Sequence, residues 1–590
     1  MVEQIWEIGR AMFLFLSFWG YIFVAVRFGK IKGWFAPIVC MSGIALILFW
    51  AGLFNCLTVA ADLILTGGIA GFSIFLILCI QGKTGHLKWN PAEFCFGVGA
   101  AAFILLSLNL RLIHYDNFSH WAVIVKYLLS AGKLPGADIT LIPFRDYPPG
   151  SSMFIYYVCR YAGHSQGMML LAQNSMILAC FLAVFGIVKE KRRFLLYSFL
   201  GMGCSVLSYL NLTIRMNNLL VDFLLPLLTM ASVAVSYRCR TDRRKFCIMQ
   251  ITLLGFTAIV KSTGGFFAGV AGVYALWELF RSEKRSERIK EKTGGKLFCA
   301  ATIICGAALP PLAWQYHLDT QLAGFKGKFE GGFHVGRELY GQVTENFLKT
   351  ALDLSGRAAQ MFFLCIVLAA AAILYARFKL RKRWRLELIL PAGIVMTVLY
   401  YAGMLYMYLH SMPEEEAVRL AGFERYACSV IVLFAGVLIM GATVDLEHSF
   451  AVDIDMRGAY RAFSSPGAKR RYQYAVLGTV ILGANFLYSE FNGLRSIQET
   501  YETSLPGQAE QIMGDRWYEN GVPDKGKYLV IASDEDGQVS SGEVRYVCRY
   551  FLWAPDVEVT DRLSESELAE AGKKYDHIFI LDETSPSGSR

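Results

Sequence analysis

The chain has 590 residues, of which 55% are hydrophobic and only 18% charged, with a mean hydropathy of +0.41. A soluble globular protein carries more charge, and here apolar runs of about 17–25 residues, each able to cross a bilayer, recur along most of the length. The net charge of +9 sits in short clusters between those runs, which reads as membrane topology and excludes nucleic acid as the partner.

The fold class expected is therefore an all-α polytopic membrane protein. Glu3 and Glu7 precede the first apolar run and no small-residue cleavage site ends it, so no cleavable signal peptide is expected. Spans are expected at 11–27, 34–54, 58–80, 93–113, 168–188, 194–210, 219–236, 246–262, 264–280, 297–315, 358–376, 387–409, 425–444 and 474–490. The junction at Thr263 is short enough that 246–280 reads as a tight hairpin.

Loop charge tests that set. Arg27/Lys30/Lys32, Lys83/Lys88, Lys189 to Arg193, Arg238 to Lys245, Arg281 to Lys296, Arg377 to Arg385 and Arg457 to Arg471 fall on alternate loops. The intervening loops are short, acid-containing, or both. Basic loops stay in the cytoplasm, which puts the N-terminus, the 114–150 loop and the C-terminus on the extracytoplasmic side of the cell membrane. The 14 cysteines lie largely inside apolar runs without CxxC pairs, so they are expected to be small buried hydrophobes rather than a disulfide or zinc framework.

The first large extracytoplasmic loop, 114–167, opens on Asp116. Residues 117–130 repeat Phe118, Trp121, Ala122 and Val125 at helical spacing, which predicts an amphipathic helix on the membrane surface. Residues 151–163 are apolar but too short to span, and are expected to be interfacial or re-entrant. Between them Arg145-Asp146-Tyr147-Pro148-Pro149-Gly150 is a rigid turn that would hold Tyr147 in place.

An acid at a lipid–water boundary asks for a role, although a solvated loop acid is the plain alternative for Asp116. His120 lies one turn on from it along the same face. Asp222 falls near the outer end of a span and needs a cation, for which Arg215 and Lys261 are the nearest. Lys261-Ser262-Thr263-Gly264-Gly265 can offer ammonium and backbone donors to a phosphate, without the P-loop spacing. Arg419 and Arg425, followed by Tyr426, are outward cations where topology disfavours them, which suits a phosphate head group. The 316–357 loop, with His317, Asp319, His334 and Arg337, is expected to be a flexible cover. Residues 1–492 then form the membrane domain. Residues 493–590 form a polar extracytoplasmic domain with strands at 527–533, 557–559 and 577–582 and helices at 542–553 and 564–571.

Asp116 with His120-Trp121, Tyr147-Pro148-Pro149-Gly150, Asp222 in LLVDFLLPLL, Lys261 in VKSTGGFF and Arg425-Tyr426 together resemble the GT-C superfamily. These are membrane glycosyltransferases that use polyprenyl-phosphate sugars, and bacterial members related to the protein O-mannosyltransferases and the aminoarabinose transferases of lipid A are the nearest in pattern. The resemblance spans about residues 115–430. Asn117 follows Asp116 where many members carry a second acid, and about four spans rather than one precede the loop.

The resemblance implies transfer of a sugar from a polyprenyl-phosphate donor to an acceptor hydroxyl on a glycan, lipid or protein, with inversion, in cell-envelope assembly. It implies Asp116 as general base. Arg425, Lys261 and Arg419 would neutralise the leaving phosphate, and Asp222, Tyr147, His120 and Tyr426 would orient substrate or cations. A divalent cation such as magnesium or manganese stays open. The rival readings are an O-antigen ligase or polymerase, and a flippase or transporter of lipid-linked saccharides.

Overall fold

The computed structural model describes residues 2–83, 91–190, 193–212, 215–281, 293–323, 325, 335–449, 463, 465–517, 522–533, 537–561 and 563–581. Lys88, His334, residues 282–292 and 457–462 of the expected basic runs, and the tail expected to be disordered lie outside the described residues.

Helices follow in the order α1 (Val2–Arg27), α2 (Ala36–Leu53), α3 (Leu57–Ile80), α4 (Pro91–Ser107), α5 (Ala122–Ala131), α6 (Gly150–Ala162), α7 (Gln166–Phe185) and α8 (Phe194–Leu207). They continue with α9 (Leu224–Cys239), α10 (Arg243–Ala258), α11 (Gly264–Phe280), α12 (Thr293–Gln321), α13 (Tyr340–Leu352), α14 (Arg357–Phe378), α15 (Leu386–His410), α16 (Glu414–Val418), α17 (Phe423–Ser449), α18 (Pro466–Glu499) and α19 (Leu505–Met513). Every expected span coincides with one of these helices. Among the described residues ten helices are long and apolar enough to cross a membrane, and α4, α9 and α11 supply shorter apolar ones. The chain is thus a multi-pass helical membrane protein. The tight hairpin is α10–α11, which turn through residues 259–263.

Local chemistry sets the helix starts. Ser165 accepts from the Met168 amide at the head of α7, and Ser465 accepts from Ala468 with Pro466 next in line at the head of α18, so side-chain oxygens meet amides that the helix leaves unpaired. Glu424 accepts from the Arg357 and Ala358 amides and so caps α14 from α17.

Basic segments meet at one end of the bundle. Lys32 reaches the Arg238 carbonyl at 3.0 Å, Arg193 the Glu447 carbonyl at 2.9 Å, and Arg240 pairs with Glu278. Arg425 and Glu447 lie at opposite ends of α17, which at 1.5 Å per residue separates them by about 33 Å. The basic end and the end carrying Asp116, Asp222, Lys261 and Arg425 are therefore opposite poles of the same helices.

The C-terminal segment forms β1 (Tyr528–Ala532), α20 (Glu543–Leu552), β2 (Val557–Thr560), α21 (Glu565–Lys574) and β3 (His577–Leu581), with parallel strands in the order β2-β1-β3. The expected strands and helices are all there. Ser564 and Glu567 form a reciprocal capping box at the start of α21.

Four expectations change. Residues 117–130 do not lie on a membrane surface. Asn117–Trp121 is a π-turn leading into α5, and residues 117–128 are all buried, including the face that periodicity gives to water. The C-terminal domain covers them: Phe118 packs on Tyr550 at 5.0 Å and Lys126 pairs with Asp515 at 2.8 Å. The segment 151–163 is a helix buried throughout residues 151–159, with Phe154, Tyr156 and Tyr157 at most 1% exposed, which removes the interfacial alternative and leaves the re-entrant one. His317 and Asp319 ride on the end of α12, and α13 takes 13 residues of the expected flexible cover, of which 324 and 326–334 lie outside the described residues. Cys247 and Cys299 form a disulfide between α10 and α12, against the expectation that no cysteines would pair; two apolar spans packed side by side bring these thiols together, which spacing along the chain does not show.

Candidate active site

In the loop after α4, Asn117 fixes the turn at Asp116. Asn117 donates to the His114 carbonyl at 2.8 Å and accepts from the Leu219 amide at 2.8 Å. These bonds close a turn around Asp116 and draw the 217–222 segment alongside. Gln173 on α7 holds that segment by donating to the Asn218 and Leu220 carbonyls, both at 3.1 Å. Asp222 arrives beside Asp116 just before α9 begins.

The third strand of chain is the α10–α11 turn. The Gly150 amide donates to the Ile259 carbonyl at 2.9 Å. A Cβ on Gly150 would stand 2.5 Å from that oxygen, and one on Gly264 would stand 2.2 Å from the Thr257 carbonyl. Only glycine lets these backbones touch. The Tyr147-Pro148-Pro149-Gly150 turn is thereby docked on the turn that carries Lys261.

Arg425 enters from the first turn of α17 and donates to the Asp116 carboxylate. Its Nε lies 3.8 Å from Asp222 Oδ2, and Lys261 Nζ donates to Asp222 Oδ1 at 2.8 Å. Two carboxylates and two cations from four separate parts of the chain thus form one chain of contacts: Asp116, Arg425, Asp222, Lys261. Tyr426 lies beneath both cations, with Lys261 5.2 Å and Arg425 5.1 Å from its ring centroid. A water-sized gap of about 10 Å³ opens between Asp222, Arg425 and Ser429.

Burial pushes the Asp116 carboxyl up, but the Arg425 guanidinium and then His114 outweigh it, so its pKa lies below the ordinary carboxylate value. His114 stands 4.0 Å from Asp116 and is itself shifted down by burial, with Asp116 opposing. His120 is 2% exposed, and burial drives its pKa down to about 3. It is a neutral imidazole against the rings of Trp121 at 4.8 Å and Tyr147 at 4.9 Å. Among the described residues neither ring nitrogen has a hydrogen-bond partner, which is costly for a buried polar group.

Seven of the expected residues converge: Asp116, His120, Tyr147, Asp222, Lys261, Arg425 and Tyr426. Arg419 does not join them; it is exposed at the end of the five-residue helix α16. Arg215, the other cation considered for Asp222, instead pairs with Glu490 at 3.2 Å. His114 and Asn117 are structural members of the site whose roles no motif announces, since each acts through backbone turns and distant segments. Among the described residues no group of three or more His, Cys, Asp or Glu side chains is placed to hold a metal ion.

No family model and no curated protein matches the chain. Among solved structures, the crystal structure of ArnT from Cupriavidus metallidurans bound to undecaprenyl phosphate is similar, at 12% identity and a TM-score of 0.45, over 83% of this chain and 89% of that one.

Proposed function

We propose that this protein is a glycosyltransferase that moves a sugar from a polyprenyl-phosphate donor to an acceptor hydroxyl at the extracytoplasmic membrane face. The observation that carries the reading is the Asp116–Arg425–Asp222–Lys261 chain of contacts at one end of a helical bundle. Two cations held by carboxylates at the mouth of apolar helices suit a ligand with an anionic head and a hydrocarbon tail.

In the free enzyme the carboxylates satisfy Arg425 and Lys261. When a lipid-linked phosphate binds, its oxygens take over those donors and the Asp116 carboxylate is released from Arg425. Burial then acts on Asp116 without its main counterweight, and its basicity rises toward that of a useful general base. Asp116 accepts the proton of the acceptor hydroxyl. The oxygen attacks the anomeric carbon from the face opposite the phosphate, a carbon–oxygen bond forms, and the bond to the phosphate oxygen breaks with inversion. The negative charge that develops on the departing polyprenyl phosphate stays on its oxygens and is neutralised by Arg425 and Lys261, which are fixed in place before the step. Asp222 positions both cations.

The concentration of charge at one pole, rather than midway along the helices, favours a surface reaction over transport. The test is binding of undecaprenyl phosphate by native mass spectrometry in nanodiscs. Arg425→Ala should weaken it about 10- to 100-fold, the loss of one charge-assisted contact, and unchanged affinity rejects the reading. Comparison of envelope glycans with and without the gene then identifies the product.

A further inference from the structure

The same pole carries a second cavity that the donor reading does not use. It holds about 460 Å³ between the start of the Asp116 loop and the C-terminal domain, within the range of about 300–1,000 Å³ usual for small-ligand sites. Ala532 and Ser533 at the carboxyl end of β1 and Leu581 at that of β3 line it together with Ile113 and Tyr115 from the start of the Asp116 loop. In open parallel sheets, ligands bind outside the carboxyl ends of the strands. Here that edge is turned toward the residue next to Asp116.

The lining chemistry selects among ligands. Tyr115, Ser504, Gln508, Ser533, Gln538 and Glu543 offer hydroxyl, amide and carboxyl groups, and among the described residues no lysine or arginine lines the cleft. A phosphate or other anion would find no counter-charge there. A ligand rich in hydroxyls would find both donors and acceptors, with an aromatic edge for its carbon–hydrogen faces. Burial and the charge of Asp116 both raise the Glu543 carboxyl above its ordinary value, so Asp116 and Glu543 share one electrostatic neighbourhood.

We infer that this cleft is the acceptor subsite, and that it takes an uncharged saccharide whose reactive hydroxyl is directed past Tyr115 to Asp116. The inference rests on the glycosyltransferase reading and adds to it the acceptor class and the role of the C-terminal domain: the anionic donor goes to the cation pair, the neutral acceptor to the cation-free cleft.

The experiment uses the full chain in nanodiscs and saturation-transfer difference spectroscopy with maltotriose, cellotriose, chitotriose and mannotriose, and with trigalacturonate as the anionic comparison. The inference expects saturation of at least one neutral trisaccharide and none of trigalacturonate. Thr503→Trp, on the exposed rim, and Ser533→Trp, on the strand end, fill the cleft from different sides and should abolish the signal. Absence of any neutral signal in the wild type, a signal that survives both variants, or preference for trigalacturonate overturns it. Undecaprenyl phosphate binding, measured on the same wild-type sample, reports the donor site separately: its absence sinks the glycosyltransferase reading, and its presence without saccharide binding sinks only the cleft. A retained melting transition in the two variants shows that they are folded.

Discussion

Arg425 donates to the carboxylate of Asp116 across 309 residues of chain, so the residue proposed as base and the residue proposed to hold the leaving group are each other's partner before substrate arrives. This coupling predicts a split in pH dependence. In kcat/KM, which reports the free enzyme, Asp116 should titrate below the ordinary carboxylate value because Arg425 holds it down. In kcat, which reports the enzyme with donor bound, phosphate has taken Arg425, so the acid limb should move to higher pH. Coincident limbs would refute the exchange of partners. Asp116→Asn should lower kcat by about 1,000-fold, in the range for loss of a general base, and leave lipid binding in place.

His120 offers a test of a buried group without a partner. His120→Phe keeps the ring contacts with Trp121 and Tyr147 and removes two unsatisfied nitrogens. The variant should be at least as stable as the wild type, by up to about 1 kcal/mol, because a buried polar group that lacks a bond costs folding energy. If the imidazole meets the donor sugar, kcat/KM falls about tenfold, the worth of one hydrogen bond. Equal stability with unchanged kinetics would make His120 a packing residue.

Lys126 lies under the C-terminal domain, 1% exposed, paired with Asp515 and 3.4 Å from the centre of the Tyr550 ring. Burial lowers its pKa to about 8, with Asp515 opposing. Asp515→Ala should cost about 3–5 kcal/mol, since it strands a buried charge, whereas Lys126→Met should be neutral or stabilising. Between about pH 8 and 10.5 the unfolded chain holds the Lys126 proton that the folded chain has released. The wild type should therefore gain on Lys126→Met as pH rises, by about 3 kcal/mol over the window. Melting temperatures of the two proteins across pH measure the sign directly.

Gly150→Ala tests the docking of the two turns. Its methyl would press on the Ile259 carbonyl, a cost of about 1–3 kcal/mol for a backbone that must shift. Because the shift moves the turn that carries Lys261, the donor KM should rise as well. A variant less stable but with an unaltered donor KM would separate the turn from the site.

Much of this architecture was legible in the chain. Apolar length located α1–α4, α7–α12, α14, α15, α17 and α18, and alternating charge sorted their ends, because both signals are local and cumulative. Period-two and helical patterns located the C-terminal strands and helices for the same reason. Asp116, Asp222, Lys261 and Arg425 stood out as charges in expensive places, but which cation served Asp222 was open between Arg215 and Lys261. Glu490, on the last long helix, decides it by taking Arg215. The misplacement of 117–130 has the same cause. Its polar face contains Lys126, which periodicity assigns to water, while the partner that makes burial tolerable lies 389 residues downstream. Pairings at that range leave no trace in spacing.

The Lys126–Asp515 contact also sets an order of assembly. Lys126 is made early, together with the turn around Asp116, but Asp515, Tyr550 and Phe551 emerge only when most of the chain is complete and the last helices are across the bilayer. Until then the floor of the site carries an uncompensated ammonium and an uncovered aromatic, Phe118. Completion of the candidate site is thereby deferred to the end of synthesis: a chain that stalls or is clipped before the C-terminal domain lacks the cover that turns the Asp116 loop into a floor.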